Sequence, residues 1–539
     1  MYITYYEKAG VTYARCDISK WVGGAIKKEY INLGRVLDKE RHIFRSRERG
    51  EFTYDPNTHT YGKVPEDFIS PSKTRRSSSY KIGRKHYSRL VLQFGDIFFY
   101  NEFFKTLGIK DAVDAIAFNN KDTLSSLICY YVTSSDANCY AEDWYELSYA
   151  RVLWPNANMS SQRISEALEI IGLEENKRAF FARYYDFVQK CQMKDKKSDY
   201  GMIENGDIGD GILIDSSGLP NEAKLPVTGV NNHNGVLSME VRLIYVVQQS
   251  TGLPLYYRYV PGNIIDASTL KRTTAEIKAM HINTKLALLD AGYYNGKNAD
   301  ILVEANISFV TRVHGNHKIF TEAVKNCRAK LESADNLLVH RGRIMYVQEV
   351  AVQIGSNSNH KAYGYLCLDT TMQNESRKHL SIKAIDEDLL GSELFDELQK
   401  SGLFMLVSTR KVRKDQIIRL YFTRNQVEEI FKIGKKDGKM LPLGVESEDT
   451  LRGHLMMTFI SSTILKILSD RLIGSQYTIS GLFSLLRHQT ATIYEKELIT
   501  SEEVKKMNSI YKHFAIKCPA TIPYSPTPDE LQKKNIGRI

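Results

Sequence analysis

The chain has 539 residues, room for three or four domains, and its 42% hydrophobic and 25% charged residues form an ordinary globular composition with material for a sizeable core. Lys and Arg number 73 against 63 Asp and Glu, a modest formal charge of +10, but the excess is clustered in a way that suits phosphate contacts as well as a solvated surface. Seven cysteines (Cys16, Cys129, Cys139, Cys191, Cys327, Cys367, Cys518) are scattered, odd in number and free of any Cys-x-x-Cys, which argues for a reducing compartment and excludes a structural zinc site built on cysteines.

The start, Met1-Tyr-Ile-Thr-Tyr-Tyr-Glu7, has no basic region followed by an apolar run, so no signal peptide is expected. Residues 1–90 are β-rich and aromatic, and Asp38-Lys-Glu40 after Tyr30–Leu37 suits a turn. Basic clusters lie at Arg45, Arg47 and Arg49, and at Lys73, Arg75, Arg76, Lys81, Arg84, Lys85, His86 and Arg89. Residues 71–89 are a flexible link or a DNA-tracking arm. Residues 91–195 are mostly helical, a possible DNA-end-binding domain. Ser160 followed by apolar residues at helical spacing to Gly172 predicts an amphipathic helix, either part of a helix-turn-helix reader or plain structural packing. Polar residues 192–209 link this region to the core.

That core begins with a segment over 205–313. Gly211-Ile-Leu-Ile predicts a strand, and Ser216-Ser-Gly218 predicts its end, so that Asp215 either projects from a strand terminus or caps a turn. Asp207 and Asp210 are loop acids before it. Arg242–Gln248 and Gly252–Gly262 predict two more strands, and Asn263–Thr269 opens a helix to about 281. Lys285-Leu-Ala-Leu-Leu predicts a strand ending in Asp290-Ala-Gly-Tyr-Tyr-Asn295, where Asn295 caps a helix over 296–305. Ser308–Val313 is a further strand.

Asp290 and Glu428 are 138 residues apart, too far for one connection. Residues 314–418 are therefore expected to form a mainly β module of their own, with strands at 337–348, 360–369 and 402–408 and helix over 375–400. His314 and His317 lack cysteine partners and are not expected to hold metal. Arg410, Lys411, Arg413 and Lys414 form another basic cluster.

Tyr421-Phe-Thr-Arg424-Asn-Gln-Val-Glu428, with Lys435 seven residues on, is the most informative stretch. On one helix at about 100° per residue these four side chains fall within about 60° of one another. A lone acid among cations suits a site that holds a metal ion and a phosphate together. At about 5% usage per residue type, the four positions match by chance in roughly a few chains per thousand.

This segment resembles the Tyr-Arg-Glu-Lys signature of bacterial insertion-sequence DDE transposases. Asp215 after its strand and the Asp290-x-Gly-Tyr box are similar to that family's two upstream aspartates. The resemblance covers about 211–313 and 419–475. It implies an α/β ribonuclease-H-like core interrupted by the insertion, with an α+β N-terminal region and a helical C-terminal region (476–539). It implies Asp215, Asp290 and Glu428 as catalytic and metal-binding residues, with two Mg²⁺ (Mn²⁺ as a substitute), and Tyr421, Arg424 and Lys435 as DNA contacts. The implied partners are the element's terminal inverted repeats and target DNA, with a homodimer in the synaptic complex and a cytoplasmic, nucleoid-associated location. Three acids brought together repel without a cation, which is the physical reason to expect metal there. The alternatives are a DNA-binding regulator derived from a transposase, which predicts broken carboxylates, and a structure-selective nuclease on the same fold.

The most apolar stretch, Leu455–Ile467, is too short and too hydroxylated to span a bilayer and is expected as a core helix beneath the Glu428 helix. His454 beside it is structural, and the tail 516–539 is partly disordered.

Overall fold

The computed structural model describes residues 2–8, 11–22, 25–46, 49–65, 67–68, 91–194, 211–221, 223, 225–233, 236–386, 392–494 and 496–524. Arg47, the basic cluster from Lys73 to Arg89, Asp207, Asp210, the 195–209 link and the tail after 524 lie outside them. The chain divides into two units, Met1–Arg89 and Leu90–Ile539.

The first unit is an antiparallel meander of six strands in chain order: β1 (Tyr2–Lys8), β2 (Val11–Val22), β3 (Ala25–Asp38), β4 (Ile43–Ser46), β5 (Gly50–Asp55) and β6 (Thr60–Gly62). Period-2 alternation buries Ala14, Cys16, Ile18, Leu33, Phe44, Phe52 and Tyr54 together. Asp38 Oδ1 accepts from the N–H groups of Glu40 and Arg41, both at 3.0 Å, which closes the β3–β4 turn.

The second unit opens with β7 (Val91–Gln93) and a helical region. In it, helix Ser161–Ile171 buries Ile164, Ala167, Leu168 and Ile171, and this face packs on helix Glu448–Arg471. A Cβ on Gly453 would run into the Leu168 carbonyl, so the two backbones touch. The exposed side carries Glu166 and Glu169 beside Arg163, a poor match for phosphate.

The main sheet contains β8 (Ile212–Pro220), β9 (Gly229–His233), β10 (Val236–Gln248), β11 (Pro254–Pro261), β12 (Leu286–Leu289), β13 (Ser308–Val313), β14 (Leu337–His340), β15 (Arg343–Ile354), β16 (His360–Asp369) and β17 (Leu403–Ser408). Its order is β11-β10-β8-β12-β13-β17-β16-β15-β14, with β9 paired to β10. β8, β12 and β13 are parallel, as helices Asp266–Ala279 and Gly296–Glu304 require. Leu213, Ile214, Ala287, Leu288 and Leu289 are buried accordingly. Asn295 accepts from the Asn298 N–H and caps the second helix.

The segment after β13 is α/β rather than mainly β. Helices Lys318–Leu331, Thr370–Asp386 and Ser392–Lys400 accompany its strands, and the first packs on β15 and β16. Because β17 pairs with β13, these strands continue the core sheet and close no sheet of their own. The basic cluster after β17 is spent on protein partners: Arg410 donates to Ser308 Oγ (2.7 Å), Lys411 pairs with Glu349 (3.2 Å) and Lys414 donates to Asn336 Oδ1 (2.7 Å).

Helix Glu448–Arg471 buries nearly every residue from Leu455 to Leu465 and lies against the Glu428 helix. His454 is buried within it, bonded to the Tyr131 hydroxyl at 2.9 Å, and burial pushes its pKa down to about 4. The C-terminal region is not simply helical. β18 (Thr490–Ile493), β19 (Glu497–Thr500) and β20 (Thr521–Pro523) join β7 in a four-stranded sheet. Strands of three or four residues are too short to show a period, and their first partner lies some four hundred residues upstream.

Candidate active site

β8 does not end at Asp215. It runs on to Pro220, with Ser216, Ser217 and Gly218 paired to β10. What ends is the pairing on its other side, where the last parallel pair is Ile214 with Leu289 of β12. Asp215 and Asp290 are the next residues on each chain. The parallel register therefore sets two carboxylates side by side where the sheet opens.

Glu428 arrives from a helix, but not from one unbroken helix. Lys414–Phe422 stops, Asn425–Lys436 starts, and the residues between are joined by i to i+3 bonds: Arg424 N–H to the Tyr421 carbonyl (3.0 Å) and Val427 N–H to the Arg424 carbonyl (3.0 Å). The Thr423 hydroxyl competes for the Leu420 carbonyl at 2.7 Å, which tightens the turn. Tyr421 thus ends one helix, and Glu428 and Lys435 belong to the next.

Arg424, at the head of the second helix, stands among the acids. Its Nη1 donates to Asp215 Oδ2 at 2.8 Å, and its Nη2 donates to Glu428 Oε1 at 2.7 Å and lies 3.8 Å from Asp290 Oδ1. The Arg424 and Asp215 side chains are 15% exposed, Asp290 42% and Glu428 55%. Burial pushes the Asp215 carboxyl up to about 7 in spite of the opposing pull of Arg424, and the Asp290 charge adds to the rise. Tyr421 is buried, with the Arg424 guanidinium 5.9 Å from its ring, so the phenol braces the arginine; its pKa is raised to about 12 by burial. Lys435 Nζ donates to Ser217 Oγ at 2.7 Å and to the Gly218 carbonyl at 3.1 Å, and burial lowers its pKa.

A fourth acid was not singled out by sequence. Asp266 Oδ1 accepts from Ser216 Oγ at 2.6 Å and from Arg242 Nη1 at 2.9 Å. Its signal was its place at the head of the helix before the Asp290 strand, but Arg242 and Ser216 come from two other strands. Buried Glu240, which accepts from Asn231, lies near enough to Lys435 to oppose the lowering of its pKa.

The donors suit a hard divalent ion: carboxylate oxygens, one of them desolvated and lacking enough positive charge to ionise easily. Among the described residues no group of three or more His, Cys, Asp or Glu side chains stands ready to hold an ion. The three acids face the guanidinium instead. His317 caps helix Lys318–Leu331 through the Ile319 N–H.

Residues 208–464 match the family described as the transposase DDE domain, which supports a DDE transposase. No curated protein matches the sequence. Among solved structures, the chain is similar to a piggyBac transposase in a synaptic complex with hairpin DNA, at 12% identity and a TM-score of 0.35, over 82% of this chain and 84% of that one. Among the described residues no helix is long and apolar enough to cross a membrane.

Proposed function

We propose that this chain is a DDE transposase of the insertion-sequence group with the Tyr-Arg-Glu-Lys signature, binding the terminal repeats of its own element. It cleaves phosphodiester bonds there and transfers the freed 3′-hydroxyls to target DNA by cut and paste. The observation that carries this reading is the gathering of Asp215, Asp290 and Glu428, from two adjacent strands and a distant helix, around one guanidinium. The family match over 208–464 supports it. The sheet order β11-β10-β8-β12-β13 supports a ribonuclease-H-like core.

In this reading Asp215, Asp290 and Glu428 hold the divalent ions, and carboxylate donors favour Mg²⁺. When bound, two such ions activate the attacking oxygen and stabilise the leaving oxygen. Arg424 offers its planar fork, and Lys435 its ammonium, to phosphates beside the scissile bond. Arg424 already holds its fork among the acids, and Tyr421 limits how far it can swing. Ser217 and the Gly218 carbonyl aim Lys435 from the strand that carries Asp215. Joining two ends to one target calls for two such sites, hence at least a dimer on DNA.

The test is cleavage and strand transfer on a duplex bearing the element's own end, with Mg²⁺, for wild type and Glu428→Gln. Nicking and joining that vanish in the variant while DNA binding persists are expected. Binding without cleavage in either protein, under Mg²⁺ or Mn²⁺, would sink the proposal in favour of a regulator; cleavage without joining would sink it in favour of a nuclease.

A further inference from the structure

The meander of residues 2–62 has a second face that its own core does not use. Directly opposed residues of an antiparallel pair point to the same side of the sheet. The register opposes Tyr6 to Tyr13, Tyr13 to Arg35, Arg35 to Arg45 and Arg45 to Glu51, giving one row across five strands. The next row is Thr4, Arg15 and Asn32, and the one after it is Tyr2, Asp17 and Tyr30. None of these belongs to the buried set of Ala14, Cys16, Leu33, Phe44 and Phe52. Tyr2 and Tyr30 are 65% and 70% exposed.

Two features of this face ask for a ligand. Arg35 and Arg45 are direct cross-strand neighbours, both exposed, and among the described residues neither makes an ion pair. Like charges in that position cost stability unless an anion lies over them. Glu51 stands across from Arg45 on its far side. Asp17, two rows away, is occupied: Arg15 Nε pairs with it at 3.0 Å and Thr4 donates to it at 2.5 Å. Arg35 is left with Tyr13 and Arg45, and no acid, as its direct cross-strand neighbours. The second feature is aromatic. Tyr6 and Tyr13 stack at 5.9 Å beside the arginine pair, and the Arg15 guanidinium lies 5.7 Å from the Tyr30 ring. Flat rings and forked cations alternating on an open sheet match a strand whose phosphates run over the arginines and whose unpaired bases lie on the tyrosines. A duplex keeps its bases stacked inside and could use only the arginines.

We infer that the outer face of this six-stranded sheet is a docking surface for single-stranded DNA, with Arg35 and Arg45 on the phosphates and Tyr6, Tyr13 and Tyr30 under the bases. The inference goes beyond the catalytic reading and does not depend on it, since no residue of the Asp215 site takes part.

The test uses the full chain in chelator, with a fluorescein-labelled 20-nucleotide oligo-dT and a 20-base-pair duplex as probes, read by fluorescence anisotropy across a salt series. Arg35→Gln/Arg45→Gln should weaken oligo-dT binding about tenfold or more and flatten the dependence of log K on log salt by about 1.4, at about 0.7 per phosphate contact. Tyr6→Ala/Tyr13→Ala should weaken it about tenfold while leaving the salt slope unchanged. Tyr30→Ala, at a widely exposed position, serves as the variant least able to disturb folding and should weaken binding several-fold. Unchanged oligo-dT affinity in correctly melting variants would overturn the inference, and so would wild-type binding to the duplex alone. Loss of catalysis in Glu428→Gln with oligo-dT binding intact would leave it standing, so the two readings fail separately.

Discussion

Arg424 and Asp215 lie 209 residues apart in sequence and meet at 2.8 Å, each side chain only 15% exposed. Removing Arg424 takes away the pull that opposes burial at Asp215, which can then bind a proton instead of keeping a stranded charge, so the cost falls below that of a fully charged buried pair. Glu428 and Asp290 are more exposed and add little to that cost. Arg424→Ala should therefore lower unfolding stability in chelator by about 2–3 kcal/mol. Mn²⁺ should then raise the melting temperature of the variant more than that of wild type, because the acids have lost their internal cation. Equal Mn²⁺ shifts would show that the guanidinium does not occupy the cation's place.

Asp266 supports the same strand from behind. Asp266→Ala strands Arg242, whose side chain is 15% exposed, and frees Ser216, the neighbour of Asp215. Outer partners of this kind are worth about 10- to 100-fold in activity. Cleavage should fall by that factor in Asp266→Ala and recover in Asp266→Asn, whose amide oxygen still accepts both bonds. An Asn variant as weak as the Ala variant would show that charge, not positioning, matters.

Lys439 supplies a pH prediction away from the acids. It is 8% exposed, its Nζ sits 3.0 Å from the centre of the Tyr130 ring, and among the described residues no hydrogen-bond partner meets it. A charged amine would gain from that ring, but burial outweighs the gain and pushes its pKa down to about 6. The unfolded chain binds this proton below about 10.5 and the folded chain only below about 6, so stability should rise with pH across that window and reach its full value above it. Lys439→Met should stabilise the protein at pH 7.5 by on the order of 2–4 kcal/mol and flatten the slope. Denaturant midpoints at pH 7 and 9 for both proteins check it; an unchanged slope would count against a neutral lysine.

Gly453 sets helix propensity against packing. In the second turn of Glu448–Arg471, already inside the helix, alanine ought to gain about 1 kcal/mol. Its Cβ would strike the Leu168 carbonyl, a backbone atom that cannot step aside. Gly453→Ala should therefore lose about 2–3 kcal/mol net, visible in the urea midpoint. A stabilised variant would mean that the two helices can separate at no cost.

Where pattern and turn chemistry act locally, the sequence showed the structure: the 308–313 strand, the Asn295 cap, the Asp38 turn and the buried Leu455 helix. Asp215, Asp290 and Glu428, which the structure brings round Arg424, could be singled out because each stands next to a punctuated element. What stayed hidden depends on distant partners. Ser216–Gly218 look like a strand end until β10 pairs with them. Thr423 looks like any helix residue until its hydroxyl takes the Leu420 carbonyl. Asp266 gains its meaning only from Arg242, and β18 to β20 become strands only beside Val91–Gln93.

The pairing of β17 with β13 also has a temporal side. Asp215 and Asp290 can be set in register as soon as β12 joins β8. The last acid comes only after the whole intervening segment, on a helix that rests on β8 and β10 and against helix Glu448–Arg471. A chain interrupted anywhere in that segment carries two acids and no third, and on the proposed reading its site stays incomplete.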